Sequence, residues 1–151
     1  MIMIEFGSNQ YSPKAITFVQ FKNTIYFEKY LMEIKNISHR KAVSRFRLSN
    51  HSLMIEKGRH SRPRTERSER KCFVCKNEIE DETHFLITCP LYRENRKILF
   101  DTCRKNCLYF DSALNDKQKF IFIMTNENID VMKNLASFIF NSFKIRERAI
   151  C

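Results

Sequence analysis

Glycine and proline are scarce, with two Gly and three Pro among 151 residues. A loop-rich β-sandwich or a low-complexity chain needs many more of both for its turns, so neither class fits. Long apolar runs are missing as well. The longest is Phe120-Ile121-Phe122-Ile123-Met124, far below the roughly 18 residues of a membrane-spanning helix. The opening Met1-Ile2-Met3-Ile4-Glu5 has neither the basic stretch nor the apolar core of a secretory leader. The expectation is a soluble intracellular chain, in nucleus or cytoplasm, with no membrane partner. Walker loops, GxGxxG fingerprints, nucleophile elbows and HExxH helices are all absent, so independent catalysis is not expected.

What is present is a core-forming composition. Hydrophobic residues make up 43% of the chain and fourteen of them are Phe, which excludes an intrinsically disordered chain. A length of 151 residues suits one ordinary domain or two very small ones and is too short for a large multidomain enzyme. With strand and turn signals weak, the expected fold class is mainly α.

Charge is unevenly placed. The chain carries +10, and residues 38–71 hold eleven bases against three acids. The bases are Arg40, Lys41, Arg45, Arg47, Lys57, Arg59, Arg62, Arg64, Arg67, Arg70 and Lys71. Residues 76–94 reverse the sign, with five acids against two bases. Such asymmetry points to a face for anionic partners, RNA or DNA above all. The competing reading is a solvated surface on which the two stretches pair with each other.

Periodicity divides the chain into four segments. Residues 1–37 are expected to be helical near their end, where Tyr26, Phe27, Tyr30, Leu31 and Ile34 recur at helical spacing. Residues 38–71 are a basic helix, capped by Ser38 and carrying Val43, Phe46 and Leu48, followed by an exposed and mobile connector from Arg59 to Arg70. Residues 72–107 hold five of the six cysteines, all but the terminal Cys151, and a helix opened by Pro90. Residues 108–151 are a helical tail, with one helix over residues 115–124 and a second in which Ile129, Met132, Leu135, Ile139 and Phe143 repeat behind an Asn126 cap.

The most informative pattern is Cys72, Cys75, His84 and Cys89, a C-x2-C-x8-H-x4-C array. Zinc takes four tetrahedral nitrogen or sulfur ligands, and a two-residue gap lets one tight turn aim two thiolates at one ion. Asp81 is placed to cap a short helix carrying His84, and Pro90 drives Cys89 out of the α region. A closed four-ligand Zn2+ site leaves no position for substrate and is structural. An incidental CxxC beside a core histidine, or a redox CxxC, are the other readings; the second His/Cys pair disfavours the first, and the basic loop standing where a redox motif needs a strand disfavours the second. Cys103 and Cys107 are one helical turn apart with no further ligand near them in sequence, which suits free thiols. His39, His51 and His60 lie in the basic block, where hydrogen bonding or phosphate contact fits better than metal ligation.

The order of motifs resembles a known family. Arg45-Phe46-Arg47-Leu48-Ser49-Asn50-His51, Glu69-Arg70-Lys71-Cys72, Glu80-Asp81-Glu82-Thr83-His84-Phe85-Leu86 and Cys89-Pro90-Leu91-Tyr92 are similar to the C-terminal CCHC zinc-binding region of reverse transcriptases from retrotransposons without long terminal repeats. The likeness is best between residues 40 and 96. It implies a small helical domain built around a CCHC zinc knuckle with a basic connecting loop, which engages template RNA or target DNA beside a reverse transcriptase polypeptide. No Tyr-x-Asp-Asp motif is present, so polymerase activity is not implied.

The nucleic-acid-binding residues expected from the basic block are Arg40, Lys41, Arg45, Arg47, Arg59, Arg62, Arg64, Arg67, Arg70 and Lys71, with Phe46, Phe73, Phe85 and Tyr92 as candidate base-stacking or core aromatics. The alternative function is a zinc-stabilised protein-interaction module whose docking face is the amphipathic tail over residues 129–145.

Overall fold

The computed structural model describes residues 26–151 together with Val19, Gln20 and Lys22. Most of the segment 1–37 lies outside them. The described residues are mainly helical, and no strand occurs among them, only an isolated antiparallel bridge between Lys71 and Ile79. Within residues 26–151 the α-helices are, in order, α1 Tyr30–Glu33, α2 Ile37–Arg47, α3 Met54–His60, α4 Arg93–Asn106, α5 Asp116–Thr125 and α6 Ile129–Ile150.

The 22-residue α6 is the axis of the fold. Val131, Leu135, Phe138, Ser142 and Arg146 recur at helical spacing with Met132, Ala136 and Ile139 beside them, and all are buried. This stripe packs against α2 and α4, because an amphipathic helix of this length is stabilised chiefly by covering its apolar face. At the centre Phe85 meets Tyr92 and Phe143, each with ring centroids 4.7 Å away, and Phe46 at 5.5 Å. One core cluster therefore draws on residues 38–71, 72–107 and 108–151 alike.

Helix starts follow short polar side chains, though not always the expected ones. Asn36 rather than Ser38 caps α2 by accepting from His39 N. Asn128 rather than Asn126 caps α6, accepting from Asp130 N and Val131 N; Asn126 instead accepts from Asn128 N and forms the turn before it. Asn115 and Gln118 close a capping box on α5. The first apolar repeat yields only the single turn α1, with Tyr26 and Phe27 exposed ahead of it.

The stretch from Arg59 to Arg70 departs furthest from expectation. Its beginning is helical, and the remainder is anchored rather than loose. Arg70 turns inward and donates to Ile55 O and twice to Thr65 O, while Thr65 N donates to Gly58 O. A Cβ at Gly58 would stand 2.6 Å from Arg70 Cγ, so any larger residue here would displace the Arg70 side chain.

Candidate metal centre and basic surface

The first half of the metal group is a turn. Cys72 N donates to Glu78 O, Lys76 N donates to Cys72 O, and Glu80 N donates to Arg70 O. Lys76 takes a left-handed conformation with φ of 59°, which reverses the chain directly after Cys75. The second half is one π-helical turn, His84–Thr88. Asp81 Oδ1 accepts from His84 N at 2.9 Å, the capping role expected of it, although the turn is wider than an α-helix. Cys89 N closes it on His84 O at 2.8 Å. Before Pro90, Cys89 is extended, with φ −56° and ψ 123°.

These two halves bring the ligand atoms of Cys72, His84 and Cys89 within 4.8 Å of one another, a buried group able to hold a metal ion. Cys72 Sγ and Cys89 Sγ are 3.8 Å apart. Cys75, the fourth expected ligand, is not part of that group of three; its Sγ is 3.5 Å from His84 Nε2. The other imidazole nitrogen, Nδ1, is 2.7 Å from Glu78 Oε2 and 2.9 Å from Thr88 Oγ1. With Nδ1–H directed at a carboxylate, Nε2 keeps its lone pair for the centre, the arrangement usual for metal-bound histidine. Burial raises the Cys72 thiol and pushes Cys89 up to about 12.

Arg96 backs the centre from α4. Its guanidinium donates to Leu86 O, Phe85 O and Cys89 O, carbonyls left over where the π-turn ends. Arg96 is buried, and that burial lowers it to about 10, against the opposing effect of Cys89. Glu80 holds the other side. Its carboxylate receives Arg146 through two bonds and Met54 N at 2.8 Å. Leu53, at the N-cap of α3, has no capping side chain of its own.

The ten expected nucleic-acid contacts separate into two groups. Arg40 donates to Leu31 O and Ile34 O at the end of α1. Arg47 is buried, with Met124 O at 2.7 Å and the Glu28 carboxylate at 3.2 Å. Arg59 pairs with Glu56 at 2.9 Å, and Arg70 is buried against backbone carbonyls. These four guanidiniums are taken up by backbone carbonyls and by the carboxylates of Glu28 and Glu56. Lys41, Arg45, Arg62, Arg64, Arg67 and Lys71 are exposed, and of them Arg67 faces Asp81 at 3.9 Å. Phe46, Phe85 and Tyr92 are core residues. Phe73 lies under the Arg146 guanidinium, 5.4 Å from its ring centroid.

Cys103 is buried, with its thiol pushed up to about 12 by desolvation. His39 lies against Phe140 at 4.8 Å, His60 is 3.8 Å from Glu56, and His51 meets Glu82 at 2.9 Å. The charge count over residues 38–71 missed Lys144 of α6, which stands beside Lys41 and Arg45 in the lining of one cleft; its signal was the Phe140–Lys144 pair one helical turn apart. Nothing in the spacing marked Glu78, Glu80 or Arg96. Among the described residues no helix is long and apolar enough to cross a membrane.

No family model matches the chain, nor does any curated protein or solved structure.

Proposed function

We propose that this chain is a zinc-binding, nucleic-acid-binding module, akin to the region that follows the polymerase in retrotransposon reverse transcriptases and without polymerase activity of its own. The observation that carries the metal identity is a pair of distances. Sulfur at about 2.3 Å and imidazole nitrogen at about 2.05 Å from one tetrahedral ion stand about 3.8 Å (S to S) and about 3.5 Å (S to N) apart. Cys72 Sγ to Cys89 Sγ is 3.8 Å and Cys75 Sγ to His84 Nε2 is 3.5 Å. Three thiolates and one imidazole suit Zn2+ and leave it no open position, so the ion fixes the fold rather than activating water.

Nucleic-acid binding is supported by Lys41, Arg45, Arg62, Arg64 and Lys71, which are exposed and have no carboxylate partner within salt-bridge distance among the described residues. The opposing solvated-face reading requires those partners. The protein-interaction alternative loses its docking face, since the apolar stripe of α6 is buried within the chain's own core.

The test joins metal analysis to a salt titration. One equivalent of zinc, together with affinity for a labelled oligonucleotide that falls steeply as salt rises, is expected. Salt-insensitive binding, or none at low salt, would overturn the nucleic-acid reading. A metal content that survives both Cys72→Ser and His84→Ala would overturn the zinc site.

A further inference from the structure

A cleft of about 480 Å³ lies between α2 and α6. Its volume is within the range of small-ligand sites, about 300 to 1,000 Å³. Three cations of two helices line it: Lys41 and Arg45 from α2, and Lys144 from α6. None of the three has a carboxylate within salt-bridge distance among the described residues. Glu147 is the single acid of the lining, so the cleft carries an excess of two positive charges. Ala42, Phe140 and Phe143 supply apolar surface between the cations. Phe140 is half-buried, with Lys144 Nζ 4.1 Å from its ring centroid.

The wall contains an unusual polar group. The side chain of His51 is 2% exposed, and its Nε2 is 2.9 Å from Glu82 Oε1. Ser49 Oγ donates to the same carboxylate oxygen. His51 Nδ1 is left buried without a hydrogen-bond partner, a deficit that folding alone does not repair.

We propose that this cleft seats one nucleotide of a single-stranded nucleic acid, with Lys41, Arg45 and Lys144 on the flanking phosphates and the base against the Phe140 ring over which Lys144 Nζ lies. This deepens the nucleic-acid reading above and rests on it. The chemistry follows from the lining: cations on two opposed helices suit two successive phosphates, and an aromatic surface accepts any base because every base has a π-face. A duplex presents its bases already stacked, so a floor set between the cations favours a single strand. Lys144 of α6 joins Lys41 and Arg45 of α2 only through packing.

The test uses the full chain with short fluorescein-labelled oligouridylate and oligothymidylate, read by anisotropy across a salt series. The triple substitution Lys41→Ala, Arg45→Ala, Lys144→Ala is expected to weaken binding at least about tenfold and to flatten the slope of log affinity against log salt by about 1.4, the effect of two single-strand phosphates at about 0.7 each. All three side chains are exposed, and an unchanged zinc content certifies the variant's fold. Glu147→Gln is expected to tighten binding. Photocrosslinking with a thiouridine-substituted strand should label the peptide that holds Phe140 and Phe143. If the triple variant binds as tightly as the parent, or the crosslink falls on the peptide containing Arg62, Arg64 and Arg67, the cleft assignment fails while nucleic-acid binding stands. If the parent chain binds neither strand at low salt, both fail together.

Discussion

Arg146 and Glu80, sixty-six positions apart, face each other through two hydrogen bonds of 2.7 Å, with both side chains 2% exposed. The pair joins the last turns of α6 to the loop between Cys75 and His84, and Glu80 Oε2 also caps α3 through Met54 N. A buried bidentate pair is costly to desolvate, but removing one partner is costlier still, because the other charge is left behind.

Arg146→Ala should therefore destabilise the fold by about 3 to 5 kcal/mol. Urea unfolding checks this. In a double-mutant cycle with Glu80→Gln the two losses should not add, with a coupling above about 1 kcal/mol; additive losses would show that the two groups act independently.

Zinc uptake should release protons. The Cys72 and Cys89 thiols are both raised by burial, Cys89 to about 12, so each holds its proton at neutral pH and must lose it to bind metal. Lowering the pH by one unit should weaken apparent zinc affinity by at least about 100-fold, the effect of two displaced protons. Competition with a chromophoric chelator across pH measures the slope. A slope below one would contradict thiolate ligation by both.

Glu78 is half-exposed yet fixes the His84 ring through Nδ1. Replacing it by Ala, with Thr88→Val to remove the second acceptor, should lower zinc affinity about 10- to 100-fold without changing the metal stoichiometry at saturation. Chelator competition again reads the outcome. Glu78→Gln alone, which keeps an acceptor, should recover most of the loss.

Gly58→Ala should loosen the connector. A methyl group 2.6 Å from Arg70 Cγ forces that side chain from its carbonyl partners, a loss of about 1 to 3 kcal/mol. Hydrogen exchange at Thr65 N, which is bonded to Gly58 O, should accelerate. Unchanged protection there would show that Arg70 yields without cost.

The Cys72, His84 and Cys89 group and the helices were legible in the sequence for local reasons. C-x2-C needs only one turn to converge, Pro90 dictates the backbone at Cys89, Asp81 caps the next turn, and the stripe on α6 repeats with the helical period. Cap positions slipped by two residues because Asn36 and Asn128 compete with Ser38 and Asn126 for the same role. Tertiary packing decided the fate of the charges. Composition cannot tell Arg45, which is exposed, from Arg47, two positions on and buried against Met124 O. A helix turns by about 100° per residue, so two positions put them on nearly opposite faces. Only the placement of α5 and α6 says which face meets water. The same holds for Glu80, Arg96 and Lys144: each acts on partners that the folded chain alone brings within reach.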